Sequence, residues 1–181
     1  YTRPGVERMH TYRLRRDHPD LVRGTDNEIK QKGKYLAPPN RGNVLYFAPG
    51  TAPDALKETS LPVIVTEGEF KVLALSRLAG HEVERPRFLP VGLSGVWNWR
   101  GIVGKVTGPD GRRRDEKGAI SDLDLVEWKG RRVCVAFDAD AGDNPSVMAA
   151  RWQLSSELIA RGAVVGVLEW PLAEGKRSEE R

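Results

Sequence analysis

The chain has 181 residues, 39% hydrophobic and 30% charged, with 29 Lys and Arg against 25 Asp and Glu for a formal net charge of +4. This is the composition of one ordinary globular domain, or of one domain with a small appendage, and it excludes a disordered tract. A single cysteine, Cys134, excludes internal disulfides and a cysteine-cluster zinc site and fits a reducing cytoplasm, and no apolar run is long enough to span a bilayer.

The pI near 9.3 leans toward an anionic partner without identifying one. No signal-peptide pattern opens the sequence, and a start at Tyr1 rather than methionine suggests a piece of a longer polypeptide. His10, His18 and His81 lie in polar surroundings without ligand-like spacing and read as surface residues.

Residues 1–60 hold short strand-like pieces, Thr11 to Arg16 and Asn43 to Phe47, between turn-rich segments such as Asp17-His-Pro-Asp20 and Ala37-Pro-Pro-Asn-Arg-Gly42. They predict a small β-rich appendage. Its basic residues, among them Arg13, Arg15, Arg16, Arg23, Lys30, Lys32, Lys34 and Arg41, fit a solvated face better than a phosphate-tracking one.

From Leu61 the pattern changes to α/β. Pro62 to Thr66 is a short apolar strand, Glu67-Gly68-Glu69 a tight turn, and Phe70 to Ala79 a helix with Phe70, Leu73, Ala74 and Leu78 on one face and Gly80 as its stop. Arg87 to Leu93 is a second strand, for which Pro90 argues an edge position or an irregular ladder. A small-residue turn, Gly92 to Gly95, leads into Val96-Trp-Asn-Trp-Arg100, where the tryptophans either stack bases or pack against the domain edge.

Residues 101–120 predict an inserted β-hairpin around Gly108-Pro-Asp-Gly111. Its cations Arg112, Arg113, Arg114 and Lys117 form either a solvated end or a phosphate-contacting finger. Ser121-Asp-Leu-Asp124 opens a short helix as N-cap and first-turn acids.

Val133 to Phe137 is continuously apolar, as in a parallel strand covered on both faces, and it ends in Asp138-Ala-Asp140. In extended backbone these two carboxylates point the same way, about 6 to 7 Å apart. Hard oxygen ligands so close suit Mg²⁺ or Mn²⁺, although aspartates after a strand also make turns and caps. Asn144 and Pro145 supply an N-cap and first helical residue for a helix with Val147, Ala150, Leu154 and Leu158 on one face, ended by Gly162. Ala163 to Leu168 is another buried strand, and the remainder turns polar.

Ligands of open α/β sheets bind outside the carboxyl ends of the strands. If the strands before Glu67 and Asp138 are neighbours, three acids converge at one rim and call for a divalent cation.

The motifs Val65-Thr-Glu-Gly-Glu-Phe-Lys-Val-Leu-Ala-Leu75, Val91-Gly-Leu-Ser-Gly-Val-Trp97 and Ala136-Phe-Asp-Ala-Asp-Ala141 resemble the Toprim domain of primases, topoisomerases and OLD-family nucleases. The closer resemblance is to the Toprim-like domain of phage and plasmid primase or primase-helicase proteins, with Lys34-Tyr-Leu-Ala-Pro-Pro39 and Asn43 to Phe47 resembling what precedes it there.

The resemblance implies a Toprim-like, Rossmann-like α/β fold, with a mostly parallel sheet flanked by helices over residues 61–172, interrupted by the insertion at 101–120 and followed by a polar tail at 173–181. It implies Glu67 as general acid/base or metal-shaping residue and Asp138 and Asp140 as ligands of Mg²⁺ or Mn²⁺. Gly68, Gly92 and Gly95 would give the backbone close approach to substrate, and Lys71, Arg100, Arg112, Arg113, Arg114 and Lys117 would contact nucleic acid. The implied function is nucleotidyl transfer in primer synthesis, with single-stranded DNA template, nucleoside triphosphates and further domains such as a helicase as partners. An OLD-type nuclease and a catalytically silent binding or docking module are the alternatives. Lys71 stands where replicative primases carry an aspartate, and Gly175-Lys176 begins a Gly-Lys motif that the chain does not complete.

Overall fold

The computed structural model describes residues 1–24, 27–138 and 144–169. In the N-terminal appendage, β1 (Leu14–Arg15) pairs antiparallel with β4 (Tyr35–Leu36), and between them β2 (Asp20–Arg23) pairs with β3 (Ile29–Lys32). The β2–β3 ribbon was not expected, because its exposed and largely polar residues carry no apolar alternation. Asn43 to Phe47 is not a ladder strand. It runs beside the domain edge, where Tyr46 and Gly92 exchange backbone hydrogen bonds of 2.9 and 2.8 Å.

The main body runs β5 (Val63–Glu67), α1 (Glu69–Ala79), β6 (Leu89–Leu93), the hairpin β7 (Arg100–Thr107) and β8 (Arg113–Ala119), β9 (Arg132–Ala136), α2 (Pro145–Ala160) and β10 (Val164–Val167). Four of these strands form a parallel sheet in the order β10-β9-β5-β6. The strands alternate with helices because parallel neighbours need a crossover, and each helix has an apolar side to lay on the sheet.

Val63, Val65, Val133 and Val135 point to one face and are at most 3% exposed, packed with Leu154 and Leu158 of α2, Trp99, Leu123 and Trp128. Burying each such side chain contributes on the order of 1.5–3 kcal/mol. The other face carries α1, whose Val72 packs on Gly92 of β6. Gly92 has no room for a side chain: a Cβ there would stand 2.7 Å from Val72 Cγ2 and 3.2 Å from Tyr46 Cβ.

Three expectations change. The helix face of Phe70, Leu73, Ala74 and Leu78 is exposed, while Val72 and Ala79 are buried. β10 is an edge strand with Val164 and Val167 open to solvent, and Cys134 of β9, in register with the exposed Gly166 on the face opposite Val133 and Val135, is half-buried. The turn at Ser121–Leu125 is a 3-10 helix whose N-cap is Ile120, and no side chain caps it.

Asp122 is instead buried and serves as a tether. Its Oδ1 accepts from Arg3 Nη2 at 2.5 Å and its Oδ2 from the Leu45 amide at 3.1 Å. The Asn144 cap is present, its side chain accepting from the amides of Ser146 (3.0 Å) and Val147 (3.4 Å).

Candidate functional site

The crossover through α1 carries the chain from β5 to β6 on one side, and the crossover through α2 carries it from β9 to β10 on the other. The two adjacent strands from which the connections diverge are β5 and β9. Such a switch point leaves a crevice at the carboxyl ends of the strands, where neither loop closes over the other. Glu67 is the last residue of β5 and Asp138 lies two residues beyond β9, whose Ala136 is in register with Thr66. The strands, about 4.7–4.9 Å apart, therefore bring both residues to one edge. Asp140 lies outside the described residues.

Asp138 Oδ1 accepts from the Lys71 ammonium of α1's first turn, and both side chains are about half exposed. Lys71, expected to contact nucleic acid, is thus paired across the switch point. An ion pair so open to water contributes only about 0.2–1 kcal/mol, little enough for a divalent cation to displace.

Gly68 joins β5 to α1 with φ +90°, a left-handed conformation that L side chains rarely adopt, while nothing lies within 4 Å of where its Cβ would be. Conformation rather than crowding requires glycine there, and the open space leaves the backbone approachable. The absence of a side chain at Gly92 serves the contact with Val72, and Gly95 faces Asn98 at an ordinary 3.5 Å.

The most elaborately held acid at this edge is Glu69, which the sequence pattern did not single out. Its Oε1 accepts from Arg13 Nη1 at 2.9 Å and from the Tyr1 hydroxyl, which also lies 3.3 Å from Ser94 Oγ. Burial would raise the Glu69 pKa, but the hydrogen bonds from Tyr1 and Arg13 outweigh it and hold the carboxyl below its usual range. Burial, with Glu69 adding to it, pushes the Tyr1 phenol up to about 12. The appendage is thereby bonded to the turn after β5. The only signal for this in the sequence is the second acid of Glu-Gly-Glu, which has no partner within its own segment.

The predicted cations separate into two groups. At the hairpin end Arg112, Arg113 and Arg114 are exposed, and Arg114 pairs with Asp110 at 2.7 Å, while Lys105 pairs with Asp115 at 3.4 Å. Interleaved acids offset the charge of that end. At the hairpin base Arg100 donates to Gln153 Oε1 (3.0 Å) and to the Lys117 carbonyl (3.3 Å), with its guanidinium 5.5 Å from the Trp99 ring centre. Trp99 is buried in the core, whereas Trp97 is half-buried with its indole N–H donating to Ser146 Oγ at 3.1 Å.

Among the described residues no three His, Cys, Asp or Glu side chains are grouped to hold a metal. Mg²⁺ does not require such a group, since it keeps several waters and binds through one or two carboxylates plus substrate phosphates. Glu67 and Asp138 at one edge, with a cation already drawn to Asp138, fit that demand.

A family model described as "Domain of unknown function (DUF3854)" matches residues 54–177, more than half of the chain, so the chain belongs to that family. The match takes in the whole parallel sheet and both helices. No curated protein and no solved structure matches the chain.

Proposed function

We propose that this member of the DUF3854 family is a Toprim-like, divalent-metal-dependent domain of a phage- or plasmid-type DNA primase that supports nucleotidyl transfer in primer synthesis. The observation that carries the reading is the meeting of Glu67 and Asp138 at the carboxyl ends of adjacent parallel strands, at the switch point of the sheet. The motif resemblance supplies the reaction class.

Mg²⁺ or Mn²⁺, when bound, supplies positive charge that neutralises phosphate and stabilises charge as a phosphodiester bond forms. Asp138 offers it a hard oxygen, and Asp140 is assigned the same part. Lys71, now paired with Asp138, would be free to meet a phosphate where a cation took its place on that carboxylate. Glu67 either shapes the metal's surroundings or handles the proton of the attacking hydroxyl. Gly68 keeps the edge open to substrate. Single-stranded DNA template, nucleoside triphosphates and further replication domains are the partners this reading requires.

A thermal melt tests it. Tenfold excess of cation over its Kd stabilises the fold by about 1.4 kcal/mol, which raises the Tm of a domain this size by about 3–6 °C. Asp138→Asn with Asp140→Asn abolishes the shift; a shift that persists refutes the metal assignment. Incubating labelled single-stranded DNA with Mn²⁺ and nucleoside triphosphates separates extension, expected here, from the shortening that an OLD-type nuclease would give.

One observation favours a second reading. The Lys71 ammonium neutralises Asp138 internally, as in a catalytically silent nucleic-acid-binding module. Salt-dependent binding of single-stranded DNA with no effect of metal on the melt supports that reading over catalysis.

A further inference from the structure

Two clefts meet at the base of the β7–β8 hairpin. The first, about 770 Å³, is lined by Arg41 of the appendage, Trp97 and Asn98 of the turn after β6, and Arg100 and Lys117 of the hairpin. The second, about 410 Å³, is lined by Trp99 and by Trp152 and Gln153 of α2. Arg100 and Lys117 belong to both linings and form the wall between them.

Three features distinguish this region from an ordinary solvated face. Its cations are uncompensated: among the described residues Arg41, Arg100 and Lys117 make no ion pair, and Glu157, the acid of the second cleft, is taken up by Arg161 at 2.7 Å. That contrasts with the hairpin end, where acids offset the arginines. Arg100 is also held in place by Gln153 and the Lys117 carbonyl, so its guanidinium is presented without a carboxylate partner.

Aromatic rings flank the cations on both sides. Trp97 is pinned edge-on by its bond to Ser146, and Trp152 is 71% exposed, an unusual position for so large an apolar ring. Alternation of fixed cations with accessible indoles across two adjoining clefts is the chemistry of a strand of nucleotides, because phosphates repeat between stackable bases. A free nucleotide would use one cleft and leave the other ring without a role.

We infer that the two clefts form one track for single-stranded nucleic acid, with one base against Trp97, another against Trp152, and the phosphates between them at Arg41, Arg100 and Lys117. The track rests on the nucleic-acid part of the proposed function and is independent of its metal part. The bond from Trp97 to Ser146 in the first turn of α2 links the first cleft to the carboxyl edge that carries Asp138. A strand lying in the track is thereby led toward the switch point.

The test is fluorescence anisotropy of labelled oligothymidylate titrated with the full chain at low salt in EDTA, so that no divalent metal contributes. Arg41→Gln with Lys117→Gln, both at exposed positions, is expected to lower the logarithmic salt slope by about 1.4, at roughly 0.7 per single-strand phosphate. Trp97→Ala and Trp152→Ala are each expected to weaken binding by about 5- to 150-fold, the contribution of one stacked base. Trp97→Phe and Trp152→Phe restore it, a rescue that a merely structural role for the indoles would not give.

Asp138→Asn retains affinity in EDTA, so a failed metal assignment and a failed track are distinguishable. The track is overturned by absence of binding at low salt, by native affinity in the cation and alanine variants, by loss of affinity in Asp138→Asn alone, or by thymidine triphosphate competing as well as the oligonucleotide, which would mark a one-nucleotide pocket.

Discussion

Replacing Arg131 by methionine removes a buried guanidinium while keeping a chain of similar length, and the structure allows the cost to be worked out. Arg131 is 0% exposed. Its Nε donates to the Leu61 carbonyl at 2.7 Å, Nη2 to that of Ala55 at 2.7 Å, and Nη1 to that of Leu56 at 3.0 Å, with Glu127's carbonyl at 3.4 Å. Burial draws its pKa below the ordinary arginine range, against the pull of Glu58 and Glu127. Among the described residues no carboxylate bonds the group, and backbone carbonyls satisfy it.

Removing it strands the buried carbonyls of Leu61 and Ala55, each costing about 1–3 kcal/mol, while that of Leu56 keeps the Glu127 amide at 2.9 Å and the cost of burying the charge disappears. A net loss of about 2–4 kcal/mol follows. That is a large part of the roughly 5–15 kcal/mol that holds a domain together.

The carbonyls belong to the 3-10 turn at Pro53–Leu56 and to the residue that leads into β5, while Arg131 itself leads into β9. The guanidinium therefore fixes the starts of the two strands that lead to Glu67 and Asp138. Urea unfolding followed by fluorescence of the buried Trp99 and Trp128 is the assay, with a Tm fall of about 4–16 °C in parallel. Lysine, with one ammonium in place of the fork, is expected to recover less than half of the loss. Stability within about 1 kcal/mol of the parent for Arg131→Met would refute the reasoning, since it would mean the carbonyls find other partners without cost.

Two further predictions follow from the same packing. Gly92→Ala drives a methyl into Val72 and is expected to cost about 1–3 kcal/mol; adding Val72→Ala vacates that space, so in a double-mutant cycle the pair costs less than the sum of the single changes, and strict additivity would show that the two do not meet. The clamp on Glu69 predicts two pH limits: the carboxyl's lowered pKa contributes stability that is present above its unfolded value near 4.3 and is lost as pH falls through the folded one. The raised Tyr1 pKa contributes stability that is whole below pH 10 and lost as pH rises toward about 12, so Tyr1→Phe should flatten the alkaline limb of a stability–pH profile and, by removing one of the two donors to Glu69, make the acid limb shallower.

The parts of the fold legible beforehand are those where one physical signal dominates. Val63 to Thr66 and Val133 to Phe137 carry no polar residue before their ends, and central parallel strands are the ordinary fate of such runs. Gly108-Pro-Asp-Gly111 and Asn144-Pro145 leave the backbone few alternatives, and the hairpin and α2 begin where those residues require. Periodicity failed on α1 because Phe70, Val72, Leu73, Leu75 and Leu78 surround most of its circumference. The contact that settles the matter is long-range: Gly92 on β6 makes a notch that only Val72 enters.

The site was legible to the same degree and for the same reason. Glu67 and Asp138 follow strands that can be read, so their meeting required only that β5 and β9 be neighbours, which the register now shows. The pairing of Lys71 with Asp138 was not legible because the two lie 67 residues apart, and neither was the clamp on Glu69, because Tyr1 and Arg13 reach it from the appendage. These residues make the edge more than a pair of acids. One cation rests on Asp138 through an ion pair weak enough to exchange, while Glu69 is fixed by two donors and unavailable for that exchange. Substituting Lys71 by methionine separates the two acids experimentally: it should leave Asp138 open to Mg²⁺ and tighten metal binding, whereas Arg13→Met should change stability at neutral pH and leave metal affinity where it was. Equal effects of the two on metal affinity would mean that Glu69, not Asp138, answers to the cation.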